Sequence, residues 1–219
     1  MSLADAAMTN TRIHTRSANS RIRKGLLGLT ALAAATVGVA VTPTAASASG
    51  GPGFLAASQL PPHPSSPWYA GPVTAGQPDP LPMCVGEALP SISVHRAYHT
   101  DLDATALQVT VVERDNQRAK DFAALLRKKL AGCAEAVMRQ NPDVNATQKY
   151  YGRLPVEEGA YVYGVHTTTT WGASDINLLS VGRDGNTVTV VRWGRMGSYG
   201  DAPVAAFKKT TVTAVNKLR

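Results

Sequence analysis

From Ser91 the chain alternates, with Ile92, Val94, Arg96 and Tyr98 on one parity and Ser93, His95, Ala97 and His99 on the other. A second run sets Leu107, Val109 and Val111 against Gln108 and Thr110. Alternation with a period of two is the mark of a half-buried strand, so the two runs predict a hairpin turning around Asp101-Leu102-Asp103. The period then lengthens. Asp115 offers an N-cap, and Ala119, Phe122, Leu126, Cys133 and Val137 recur at helical spacing, with Arg118, Arg127, Lys128 and Arg139 outside that stripe. This pattern predicts one long amphipathic helix ending at Asn141-Pro142.

Past a polar loop come three more β-rich runs, Tyr161 to Thr168, Asp175 to Val181 and Thr187 to Arg192. The last two flank Arg183-Asp184-Gly185-Asn186, a strong hairpin signal. Asp201-Ala202-Pro203 then opens a second helix carrying Val204, Phe207, Thr211, Val215 and Leu218 on one face. Two strands, a helix, three strands and a helix predict an α+β fold: a twisted antiparallel β-sheet with two helices packed on one face.

Ahead of these elements the pattern is different. Arg12, Arg16, Arg21, Arg23 and Lys24 precede a charge-free apolar run from Gly25 to Val41, and Ala46-Ser47-Ala48 follows as a small-residue cleavage site. That order predicts a secretory signal peptide over 1–48, released after Ala48, with a secreted, extracellular product and no stable membrane insertion afterwards. The 17-residue run is short and only weakly apolar for an uncleaved anchor. Between Ser49 and Pro82 stand nine prolines. Proline removes amide donors and restricts its neighbour, so 49–83 predicts an extended N-terminal arm rather than a regular central element. Phe54, Leu55, Leu60, Trp68 and Tyr69 give that arm enough apolar surface to dock on a domain spanning 84–219.

The leader also changes the charge argument. The whole chain is formally +7, but five of its 22 basic residues and one of its 15 acidic residues lie in 1–48, leaving 17 against 14. A balance of +3 gives no reason to expect a nucleic-acid partner. Two cysteines, Cys84 and Cys133, are an even count for an oxidising compartment and permit one internal disulfide. The alternatives are two separate buried thiols or, more remotely, a catalytic thiol with a base beside it.

Catalytic signatures are sparse. His95 and His99 share a strand face but stand roughly 13 Å apart, too far for one metal ion. A pairing of His99 with His166 across strands is the remaining metal option, and no metal or cofactor is expected. There is no G-x-S-x-G elbow, Walker loop or dinucleotide fingerprint. Ser174 and Ser198 lie in loops near glycines, where small polar residues are ordinary turn chemistry. Glu157 and Glu158 are adjacent and on an extended chain point to opposite sides, so they form no glycosidase pair. The basic run Arg127, Lys128 and Lys129 reads as a solvated helix face.

The aromatic residues carry the binding expectation. Trp171-Gly172 and Trp193-Gly194 end two β runs, with Tyr161, Tyr163 and Tyr199 near them in sequence. If both helices cover one face of the sheet, the other face or its mouth is left for rings outside the core. The ligand-binding set expected on that reasoning is Tyr161, Tyr163, His166, Trp171, Trp193, Arg195 and Tyr199, with His166 and Arg195 supplying polarity.

The Ala-rich leader, the opening Phe54-Leu55 to Leu60-Pro61, Cys84 ahead of the first hairpin, Cys133 in the long helix and Trp171-Gly172 before the late hairpin together resemble secreted actinobacterial proteins of unknown function. More distantly they resemble the extracytoplasmic PknH-like sensor domain of mycobacterial kinases and its secreted relatives. That resemblance implies a twisted antiparallel sheet with helices and a ligand-binding cleft; the family carries more than one disulfide, where this chain has cysteines for one. The expected function is a secreted, non-enzymatic ligand-binding or sensor-like module of the cell envelope or extracellular space, its partner a small molecule or envelope component. The alternatives are a small secreted hydrolase using His99 or His166 with a loop serine or a carboxylate, and a protein-binding inhibitor presenting the Pro-rich arm.

Overall fold

The computed structural model describes residues 51–219; the leader read over 1–48 lies outside the described residues. Among these residues seven strands form one antiparallel sheet: β1 Tyr69–Ala75, β2 Val94–His99, β3 Thr105–Val112, β4 Val144–Leu154, β5 Ala160–Thr169, β6 Ser174–Asp184 and β7 Thr187–Met196. Their spatial order is β1-β2-β3-β7-β6-β5-β4, so β3 and β7 join an N-terminal meander to a C-terminal one. Three α-helices among the described residues, α1 Asn116–Ala131, α2 Cys133–Gln140 and α3 Val204–Asn216, complete an α+β fold.

Local chemistry accounts for the boundaries. The Asp115 carboxylate accepts the Arg118 amide at 2.8 Å and caps α1. The single helix expected to Asn141 is broken at Gly132 into α1 and α2, since Gly132 leaves helical geometry at φ −106°, ψ 18°. The β6–β7 hairpin turns on Gly185 at φ +56° and Asn186, with Asp184 paired to Thr187. Thr210 and Thr211 disfavour a helix by propensity, yet each hydroxyl finds a fixed partner. Thr210 Oγ1 donates to the Gln59 carbonyl at 2.7 Å, and Thr211 Oγ1 donates to Ser180 Oγ at 3.0 Å.

The two helices expected on one face lie on opposite faces. Leu107, Val109, Leu179, Val181, Val188 and Val190 share one side of the sheet, where they pack with Leu126 and Leu130 of α1 and Val137 of α2. The residues of opposite parity, Ala106, Ile176, Leu178, Val191 and Trp193, pack instead with Phe207 and Ala214 of α3. The strands of the sheet centre are apolar on both parities, so each face needs its own cover. Burying a side chain such as Leu126 or Phe207 in either layer is worth about 1.5–3 kcal/mol.

The Pro-rich segment supplies part of that cover. Leu55 and Leu60 are buried beside Phe207 and Tyr98, and Trp68 Nε1 donates to the Pro61 carbonyl at 2.7 Å. Further along it becomes β1, an edge strand with Pro72 at a register shift between Ala70 and Val73 where no ladder donor is needed. The stretch read as a polar loop before Tyr161 contains β4, the opposite edge. A disulfide joins Cys84 to Cys133, with the Cα atoms 5.4 Å apart. No helix among the described residues is long and apolar enough to cross a membrane.

Candidate functional site

The aromatic set expected to form one groove is divided by the sheet. Tyr161 and Tyr163 face the α1 side, where Tyr161 lies 4.7 Å beneath the Arg127 guanidinium and Tyr163 is buried against Tyr150, ring centroids 5.0 Å apart. His166 and Trp193 project from the α3 side, and Trp193 is a core residue at 3 % exposure. Trp171 stands at the tip of the β5–β6 hairpin, 70 % exposed. The structure does bring His166 and Tyr199 together, ring centroids 5.5 Å apart, with Lys149 Nζ 4.0 Å over the Tyr199 ring. Arg195 is elsewhere, 3.4 Å from Asp103. The His99–His166 pairing is excluded, because β3, β7 and β6 lie between their strands, an offset of roughly 19 Å at normal strand spacing.

A polar cleft of about 350 Å³ opens on the α1 side of the sheet, beyond the helix-covered part. Strand register explains its composition. One row across the sheet holds Leu107, Arg192, Leu179 and Tyr163; the next holds Thr105, Gly194 and Asn177; a third holds Met196, Asp175 and Thr167. Along β6 and β7 the same face therefore changes from apolar to polar within two residues. Asn177 is buried at 4 % exposure and forms the floor.

Arg192 dominates this cleft. Its Nε donates to Asn177 Oδ1 at 3.0 Å and its Nη1 to Thr105 Oγ1 at 3.5 Å. A guanidinium carries five N–H donors, so three are left without an acceptor among the described residues, and no carboxylate stands within 4.0 Å. Burial pulls the Arg192 pKa below its ordinary value, and the nearby negative charge of Asp175 partly offsets that effect. Asp175 forms no ion pair within 4.0 Å among the described residues. Asp103, by contrast, is committed: it pairs with Arg195, accepts the Met196 amide at 3.2 Å and lies 3.8 Å from His63 Nε2. The uncommitted charges are thus one cation and one anion side by side, on a buried amide floor. Gly194 keeps the space open, for a Cβ there would stand 2.5 Å from Asn177 Oδ1 and 3.0 Å from Arg192 Nη2.

Of the expected set only Arg195 lines this cleft. Arg192, Asn177, Asp175 and Thr105 escape a search for aromatics or catalytic motifs. Their signal is one of phase: Asp175 and Asn177 are polar on the parity of Leu179 and Val181, and Arg192 on that of Val188 and Val190. A polar side chain in phase with a buried stripe is either partnered in the core or aimed at something else.

A second polar contact lies on the α3 side. His166 Nε2 is 2.9 Å from Ser174 Oγ, which donates to the Gly197 carbonyl at 3.1 Å. Among the described residues no carboxylate pairs with His166. No known protein family, curated protein or solved structure matches the chain.

Proposed function

We propose that this protein is a secreted, non-enzymatic binding module of the cell envelope or extracellular space, and that its polar cleft takes a small anionic ligand. The observation that carries the reading is the half-buried Arg192, anchored by Asn177 and Thr105 with three donors unmatched among the described residues. A fixed guanidinium with unused donors matches a carboxylate or phosphate in bidentate fashion. Asp175 adds an acceptor for a hydroxyl or ammonium on the same ligand. A cleft of this size falls within the range of small-molecule sites. The leader pattern and the single disulfide support export.

The test is a thermal-shift titration with acetate, succinate, inorganic phosphate and galacturonate. At least one should raise the melting temperature of the wild type by several degrees near saturation and leave Arg192→Gln unmoved. If none of these anions shifts the wild type, or Arg192→Gln responds equally, the cleft is not an anion site. A hydrolase is favoured by one observation, the Ser174–His166 contact, and would require an oriented histidine that the surroundings do not supply.

A further inference from the structure

A second cavity, about 610 Å³, lies between the segment carrying Cys84 and the junction of α1 and α2. Its lining is mixed: Pro82, Met83 and Ala136 give it apolar wall, Gln140 lies among them, and Leu81 and Leu125 line it while 48 % and 46 % exposed. Three cations surround it: Lys128 and Lys129 from the last turn of α1 and Arg139 from α2. Arg139 has Glu135 at 3.6 Å, whereas neither lysine has a carboxylate within 4.0 Å among the described residues. Glu87 is the one acidic residue in the lining. The Cys84–Cys133 bridge ties the two walls together, so the space exists before anything enters it.

We infer that this groove binds a single-chain anionic amphiphile, a fatty-acid carboxylate whose head sits between Lys128 and Lys129 and whose chain covers Leu125, Leu81, Pro82 and Met83. Each half of the surface argues for its half of the ligand. Two lysines unpaired among the described residues favour an anion, and large aliphatic side chains left in water beside them favour a hydrocarbon tail. Every methylene buried contributes about 0.8 kcal/mol, so the tail rather than the head supplies most of the affinity. The inference does not rest on the polar cleft; Met83 is the wall the two spaces share, and no charged side chain belongs to both.

Isothermal titration with dodecanoate, below its micelle-forming concentration, tests the assignment against butyrate and dodecyltrimethylammonium. Dodecanoate should bind one to one, and butyrate and the cationic amphiphile at least tenfold more weakly. The double variant Lys128→Glu, Lys129→Glu should lose at least tenfold in dodecanoate affinity, and Leu125→Gln severalfold. Both change side chains at the surface of α1, and an unchanged melting temperature confirms that the fold is intact. Failure of dodecanoate to bind, equal binding of the cationic amphiphile, or full affinity in the lysine double variant overturns the inference. Butyrate binding as tightly as dodecanoate also overturns it, by reducing the site to one for simple anions.

Discussion

His166 Nε2 and Ser174 Oγ stand 2.9 Å apart. A hydroxyl has one proton, and the Gly197 carbonyl, 3.1 Å from Ser174 Oγ, can only accept. With the hydroxyl donating to that carbonyl, both contacts are satisfied when the imidazole donates to the serine, the reverse of what a general base does to a nucleophile. The pair ties β5 to the start of β6, and the Gly197 carbonyl ties Ser174 to the residue that follows β7. A fluorophosphonate probe is expected to leave Ser174 unlabelled, as read by peptide mass spectrometry, and Ser174→Ala should lower stability by about 1 kcal/mol. Stoichiometric labelling of Ser174 would restore the hydrolase reading.

Gly194 offers a separate handle on the polar cleft. Adding a methyl group there forces Asn177 Oδ1 or the Arg192 guanidinium out of place, since the nearest approach would be 2.5 Å. Gly194→Ala should destabilise the fold by about 1–3 kcal/mol through overpacking. Whichever anion stabilises the wild type should bind at least tenfold more weakly. Chemical denaturation and titration with that anion read the two effects independently; unchanged affinity would place the ligand away from the Arg192–Asn177 pair.

How much of this was legible beforehand depended on how strongly each segment commits to one periodicity. The β2–β3 and β6–β7 hairpins, the Asp115 cap and the Cys84–Cys133 pair follow from alternation, turn residues and cysteine count. β4 did not, because on an edge its two faces are both largely wet and only Ala146 is buried, leaving no apolar alternation to read. β1 was obscured by Pro72, which an edge strand tolerates at its bulge. The placement of both helices on one face failed for a reason visible in hindsight: β6 and β7 are apolar on both parities, as a sheet covered on both sides requires. The same two-sided cover divides the expected aromatic set. With α3 over the second face, Trp193 is core, and a polar cleft lies at the far end of the α1 face.

The disulfide closes a loop with a sequence separation of 49, worth about 4 kcal/mol on the chain-entropy account. Cys133 is fully buried, so Cys133→Ser also leaves a hydroxyl in an apolar layer. The variant should melt roughly 10 °C lower, taking the usual shift per kcal/mol for a domain of this size. Thiol labelling of the denatured, unreduced wild type should find no free cysteine. Stoichiometric labelling, or an unchanged melting temperature in the variant, would contradict the bridge as a stabilising element.

Tyr98 ties the Pro-rich segment to the sheet and makes that tie sensitive to alkali. Its hydroxyl donates to the Leu55 carbonyl at 2.8 Å, and the side chain is 2 % exposed. Burial pushes the phenol up to about 12 from an ordinary value of 10.0, against a smaller opposing pull from Arg96. The unfolded chain therefore loses this proton first, between pH ~10 and ~12, and binds fewer protons than the native state there. The contribution is fully present below pH ~10 and is lost as pH rises through about 12, a change of roughly 2–3 kcal/mol for a shift of this size. Tyr98→Phe removes the titration while keeping the ring. In urea unfolding from pH 8 to pH 12, the stability advantage of the wild type over Tyr98→Phe should stay level up to about pH 10 and shrink above it. Lysine and other tyrosine titrations are common to both proteins and cancel in that difference. A difference that stays constant across the whole range would mean that Tyr98 ionises as freely in the folded protein as in the unfolded chain.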